Sequence, residues 1–116
     1  MINIKKFDNI FFYRPFVDFR KGIYGLCSVV QEEMELNPFE NYIFIFTNSK
    51  RNKIKALYWD NTGFAMWMKY LEEDKYIWPH HLEDDVLQVN IRKLEQLLVG
   101  INPWQIPHKT KKYSYI

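Results

Sequence analysis

Two β-forming runs separated by a short polar loop constrain this chain more than any other feature. Residues 42–47 (YIFIFT) are β-branched or aromatic throughout, the composition that fits a pleated, half-buried surface. Residues 54–59 (IKALYW) read as a second strand. Between them, residues 48–52 are NSKRN, all polar. That spacing fits a β-hairpin with a longer loop.

Further elements follow on either side. Residues 60–63 (DNTG) form a turn in which Gly63 can take positive φ. Residues 64–71 admit two readings. Phe64, Met66, Met68 and Tyr70 alternate as in a strand, whereas Phe64, Trp67, Met68 and Leu71 share a helical face. The strand is favoured, because a charged turn at 72–75 follows and suggests a meander. Residues 76–78 then read as a last short strand, stopped by Pro79.

Upstream, residues 10–13 (IFFY) have strand character and stop at Arg14-Pro15. Asp18 can cap a helix beginning near Phe19. Ile23, Leu26, Cys27, Val30 and Met34 keep the rhythm of one buried helical face. Gly22 and Gly25 weaken that helix by about 1 kcal/mol each relative to alanine, and Asn37-Pro38 ends it. Downstream, an acidic connector at 80–89 leads into VLQV. Asn90 can cap a helix from Ile91, with Ile91, Leu94, Leu97, Leu98 and Ile101 facing the core and Gly100 near its end. The expected fold is α+β: a small antiparallel, meander-like sheet of three to five strands with two main helices packed on one side.

The 116 residues argue for one domain, assigned to residues 1–107, with 108–116 as a basic tail expected to be flexible. A chain of this size buries roughly 65–70% of its unfolded surface. Hydrophobic content of 47% excludes disorder over most of it. The 18% aromatic content serves either a dense core or an exposed stacking surface. The single cysteine, Cys27, permits no internal disulfide and reads as a buried apolar residue rather than a nucleophile. No apolar run approaches the roughly 20 residues of a membrane span, so a soluble, cytoplasmic protein is expected.

Net charge is only +2, yet it is segregated. Lys50, Arg51, Lys53 and Lys55 crowd the hairpin loop, and Lys109, Lys111 and Lys112 crowd the tail. Glu72, Glu73, Asp74, Glu83, Asp84 and Asp85 lie together in sequence. Such separation suits a chain that shows one face to nucleic acid and another to a basic partner, although any one cluster also suits an ordinary solvated turn. The adjacent His80 and His81 lack the convergent spacing of metal ligands. Asp18, Asp60 and Asp85 each have a simpler use as cap, turn or loop residue. No phosphate-cradling glycine loop or nucleophile–base pattern is present, so the reading is non-catalytic, with no cofactor and no metal.

The order of motifs carries more than any one of them. Val17-Asp18-Phe19-Arg20-Lys21-Gly22 comes first, then Asn37-Pro38-Phe39, then the YIFIF strand with its basic loop. Trp59-Asp60, Gly63-Phe64, Lys69 with Leu71-Glu72, and Tyr76-x-Trp78-Pro79 follow, and Leu97-Leu98-x-Gly100-Ile101 with Trp104 closes the series. In this order, from about Ile10 to Trp104, the chain resembles the TnpB-type accessory protein, or second-reading-frame protein, of insertion sequences of the sixty-six class. Tyr70 and Asp74 depart from the family pattern, where a basic residue and a glycine are common. The resemblance implies a role in transposition of a bacterial mobile element, beside a separate transposase that would hold the catalytic carboxylates. Two modes of action remain open. One is DNA binding, with candidate contacts Arg20, Lys21, Lys50, Arg51, Lys53, Lys55, Lys109, Lys111 and Lys112. The other is docking on the transposase, or dimerisation without DNA contact, with candidate contacts Trp67 and Trp104.

Overall fold

Why the sheet is mixed follows from where the first strand goes. The computed structural model describes residues 3–79 and 82–104. Strand β1 (Asn9–Tyr13) pairs in parallel with β2 (Tyr42–Thr47), with Ile10 opposite Ile43 and Phe12 opposite Ile45. A parallel pair needs a crossover, and residues 14–41 supply one. Strand β3 (Lys53–Trp59) returns antiparallel beside β2, and β4 (Phe64–Tyr70) returns beside β3. Strand β5 (Val86–Val89) then lies antiparallel on the other side of β1. The order is β4-β3-β2-β1-β5.

The hairpin and meander expected from the sequence are present, and residues 64–70 are a strand. The α+β class and the two helices are borne out, although one of the strand pairings is parallel. The expected short strand at 76–78 is not one, and β5 takes the edge position instead. In the turn at 60–63 it is Asn61, at φ 55°, that takes the left-handed conformation, not Gly63. Asparagine tolerates that region better than most residues.

The helices do not share one side of the sheet, as expected, but lie on opposite faces. Helix α1 (Ile23–Ser28) continues through a π-helical turn, Val29–Glu33, and packs Leu26, Cys27, Val29, Val30 and Met34 against Phe44, Phe46 and Leu57. The wider turn shifts the buried stripe, so Val29 is buried as well as Val30. Asp18 does not cap this helix. Its N-cap is Gly22, four residues later than expected, and Asp18 forms a local turn instead.

Helix α2 (Ile91–Leu98) covers the other face with Leu94, Leu97 and Leu98, over Ile43, Ile45, Ile54 and Ala56. Asn90 caps it by accepting from the Lys93 amide at 2.9 Å, and Gly100 at φ 87° ends it, both as expected. Ile101, expected inside, is exposed. Tyr76 and Trp78 join this core from the connector after β4, and Trp78 stacks on Phe12 at 5.1 Å. The Trp78 indole N–H donates to the Arg14 carbonyl at 2.8 Å. Arg14 in turn clamps the acidic connector: it pairs with Asp85 at 2.6 Å and donates to the Asp84 carbonyl at 2.9 Å.

Candidate nucleic-acid interface

The cross-strand register of β3 and β4 builds the floor of a groove. Along the α1 face, Leu57 stands opposite Met66, Lys55 opposite Met68 and Lys53 opposite Tyr70. The first of these pairs lies with the helix-covered core. The other two lie beyond it, where residues 16–20 and the loop after β2 form the walls. The result is an open groove of about 670 Å³. Arg20, Lys50, Lys53 and Lys55 line it against one carboxylate, Asp18. Its apolar lining is half exposed: Phe16 at 46%, Met68 at 45% and Tyr70 at 49%.

The cations are held in different ways. Lys55 is only 6% exposed, and its ammonium donates to the Phe19 carbonyl at 2.8 Å and the Lys21 carbonyl at 3.0 Å. Burial, and then repulsion from Lys53, lower its pKa, against the opposing pull of Asp18. Lys55 therefore ties the Asp18–Gly22 motif to the sheet. Lys53 sits 4.8 Å from the Tyr70 ring centre. Arg20 is 91% exposed and holds both Asp18 oxygens, at 2.6–3.1 Å. Those bonds bring the Asp18 carboxyl down to about 2. Lys50 is exposed on the groove wall.

The wall itself is rigidly built. Thr47 is fully buried and donates to the Lys53 carbonyl at 2.8 Å. Asn48 accepts from the Lys53 amide at 3.2 Å and donates to the Asn52 side chain at 2.8 Å. Arg51 closes the loop in the left-handed conformation at φ 58°, and its carbonyl accepts from the Tyr76 amide at 2.6 Å. Arg51 thus pins the connector to the loop and is not part of the groove lining.

Of the other residues singled out in the sequence, Lys21 faces a second, smaller groove with Glu32 and Glu33. Trp67 packs against the core under α2. Trp104 meets Phe12 edge-on at 5.2 Å and donates its indole N–H to the Ile77 carbonyl at 2.6 Å. Lys109, Lys111 and Lys112, with His80 and His81, lie outside the described residues. Among the described residues no three His, Cys, Asp or Glu side chains are placed to hold a metal ion, and Asp18, Asp60 and Asp85 sit in three separate settings. No helix among them is long and apolar enough to cross a membrane. Sequence reasoning missed Phe16, Met68 and Tyr70 as groove residues. The alternation along β4 held the signal, but only the register with Lys53 and Lys55 gives it meaning.

A family profile described as "IS66 Orf2 like protein" matches residues 8–108. Two curated proteins of Sinorhizobium fredii (strain NBRC 101917 / NGR234) are similar. Protein y4jC is 29% identical over 96 residues, covering 83% of this chain and 81% of its own length. Protein y4hO is 30% identical over 93 residues, covering 80% and 79%. Both carry the description "uncharacterized". No solved structure matches.

Proposed function

The chain belongs to the IS66 Orf2-like protein family, and on that premise we propose that this transposition accessory protein acts by binding nucleic acid in the groove beside β3 and β4. It has no catalytic role in this reading, and the transposase of the same element supplies the chemistry. The observation that carries the reading is the convergence of Arg20, Lys50, Lys53 and Lys55 on one open groove, from two segments far apart in sequence. Phosphates neutralised there release counterions, which gives binding that weakens with salt. Lys55 serves chiefly to hold the wall, so Lys50, Lys53 and Arg20 are the assigned phosphate contacts.

The test is fluorescence anisotropy with labelled element-end DNA at several salt concentrations. Lys50→Glu with Lys53→Glu should abolish binding at low salt. Replacing the same two lysines by alanine should reduce the log–log salt slope by about 2. Unchanged binding in both variants would remove the groove from the function.

A second reading rests on a different observation. Among the described residues β4 has a partner strand, β3, on one side only, and six of its seven residues are apolar. Its one lysine, Lys69, turns inward to donate to the Leu98 carbonyl at 3.1 Å and does not guard the edge. Such an edge suits strand addition by the transposase or by a second copy. Copurification with the transposase that is lost on placing a proline in β4, with the fold retained, would favour it.

A further inference from the structure

We infer that the groove takes single-stranded DNA, with unpaired bases laid on Tyr70 and Phe16 and phosphates met by Lys53 and Lys50. The inference rests on the nucleic-acid reading above and narrows it to one form of ligand.

Three observations carry it. The first is shape. The basic residues line a concavity of about 670 Å³ rather than a protruding helix or arm. That volume is of the size that takes a small ligand, roughly 300–1,000 Å³. A splayed nucleotide is of the size to occupy such a space.

The second is the apolar lining. A site for duplex backbone needs only cations and polar groups. Here Phe16 and Tyr70 are 46% and 49% exposed within the same groove, beside Met68. Exposed rings among cations form the combination that binds single strands, because every base offers a π face. Sheet faces carrying aromatics bind single strands in this way.

The third is pairing. Lys53 and Tyr70 are direct cross-strand partners, with the ammonium 4.8 Å from the ring centre. The ammonium lies over the ring, so a base stacking there displaces it towards the base's own phosphate. The wall that holds this pair is fixed by Asn48 and Thr47, so the site is largely formed before a strand arrives.

The experiment compares labelled oligothymidylate with a mixed-sequence duplex, by anisotropy at low salt, on the full chain. The wild-type protein should bind the single strand more tightly. Tyr70→Leu keeps apolar bulk and loses the π face, and should weaken single-strand binding roughly 5- to 150-fold, the range for one lost stacking contact. Tyr70→Phe should retain it. Unfolding midpoints of the three proteins report whether the half-exposed site disturbs the fold.

Duplex binding equal to or tighter than single-strand binding would overturn the inference. So would equal loss in Tyr70→Leu and Tyr70→Phe. In either case the loss of binding in the Lys50 and Lys53 variants would leave the groove reading standing. Absence of binding to both probes would remove both.

Discussion

The Lys55 ammonium donates to the Phe19 carbonyl at 2.8 Å and stands 4.7 Å from the centre of the ring of the same residue. A buried cation is thus spent on one wall segment, held through both its backbone and its ring. This tie couples the Asp18–Gly22 turn to the strand that floors the groove.

Lys55→Met should cost about 1–3 kcal/mol, since it removes charge-assisted bonds to two carbonyls while the aliphatic stem still packs. Denaturant unfolding measures it. A loss below about 0.5 kcal/mol would mean that the turn holds its shape without Lys55.

Tyr76 is 1% exposed, and its hydroxyl has no hydrogen-bond partner among the described residues. Tyr76→Phe removes the unpartnered group and should stabilise the protein by about 1 kcal/mol at neutral pH. Burial pushes the Tyr76 phenol up to about 12. The unfolded phenol loses its proton near 10, so the folded state holds more protons above that pH. Stability should therefore fall as pH rises from about 10 to about 12, by up to roughly 2–3 kcal/mol from this group. The difference between wild type and Tyr76→Phe across that window isolates the effect.

Asp18 and Arg20 give an acid-side test. Bonds from Arg20 first, with its backbone amide and charge, hold the Asp18 carboxyl at about 2. A depressed value favours the folded state above the ordinary carboxylate range, and that contribution disappears as pH falls through about 2. An NMR titration should place the Asp18 midpoint near 2, and Arg20→Ala should move it up towards the ordinary range.

The two tryptophans beside the connector should separate cleanly. Trp78→Ala empties a fully buried site and should cost about 3–5 kcal/mol. Trp104→Phe keeps an aromatic ring towards Phe12 and loses the bond to the Ile77 carbonyl and part of the ring under Lys93, for about 1 kcal/mol. Thermal unfolding of both variants checks the order.

Cys27 is buried, and desolvation raises the pKa of its thiol. A thiol reagent such as a disulfide dye should react only when the chain opens. Its rate should rise in step with denaturant, and prompt reaction of the native protein would contradict the packing of α1.

The hairpin and the capped α2 were legible because their signals are local: β-branched runs, a polar loop of fixed length, an asparagine cap. Strand β4 fitted strand and helix alike and was favoured as a strand only through the charged turn that follows it. The parallel β1–β2 pair was not legible, because nothing in residues 10–13 names a partner thirty residues away. Residues 76–78 misled for a physical reason. Tyr76 and Trp78 are buried while Ile77 is 38% exposed, so the alternation is real, but it arises from two rings dipping into the core from an unpaired segment. The basic half of the groove was visible as a charged loop. Its aromatic half was not, since Phe16 comes from the crossover and Tyr70 from a strand whose register sequence does not state.

The central place of β1 has a consequence for synthesis. The strand made first is flanked by β2 and by β5, which is made almost last. The bonds that seal it, from Trp78 to Arg14 and from Arg14 to Asp85, join residues 64 and 71 positions apart. Closing such long loops is slow. On the ribosome the hairpin can zip as it emerges, but β1 must wait with one edge bare until residues 86–89 arrive. A transcript or chain cut short before that point would release an open, apolar strand edge, the form of this protein most prone to aggregate.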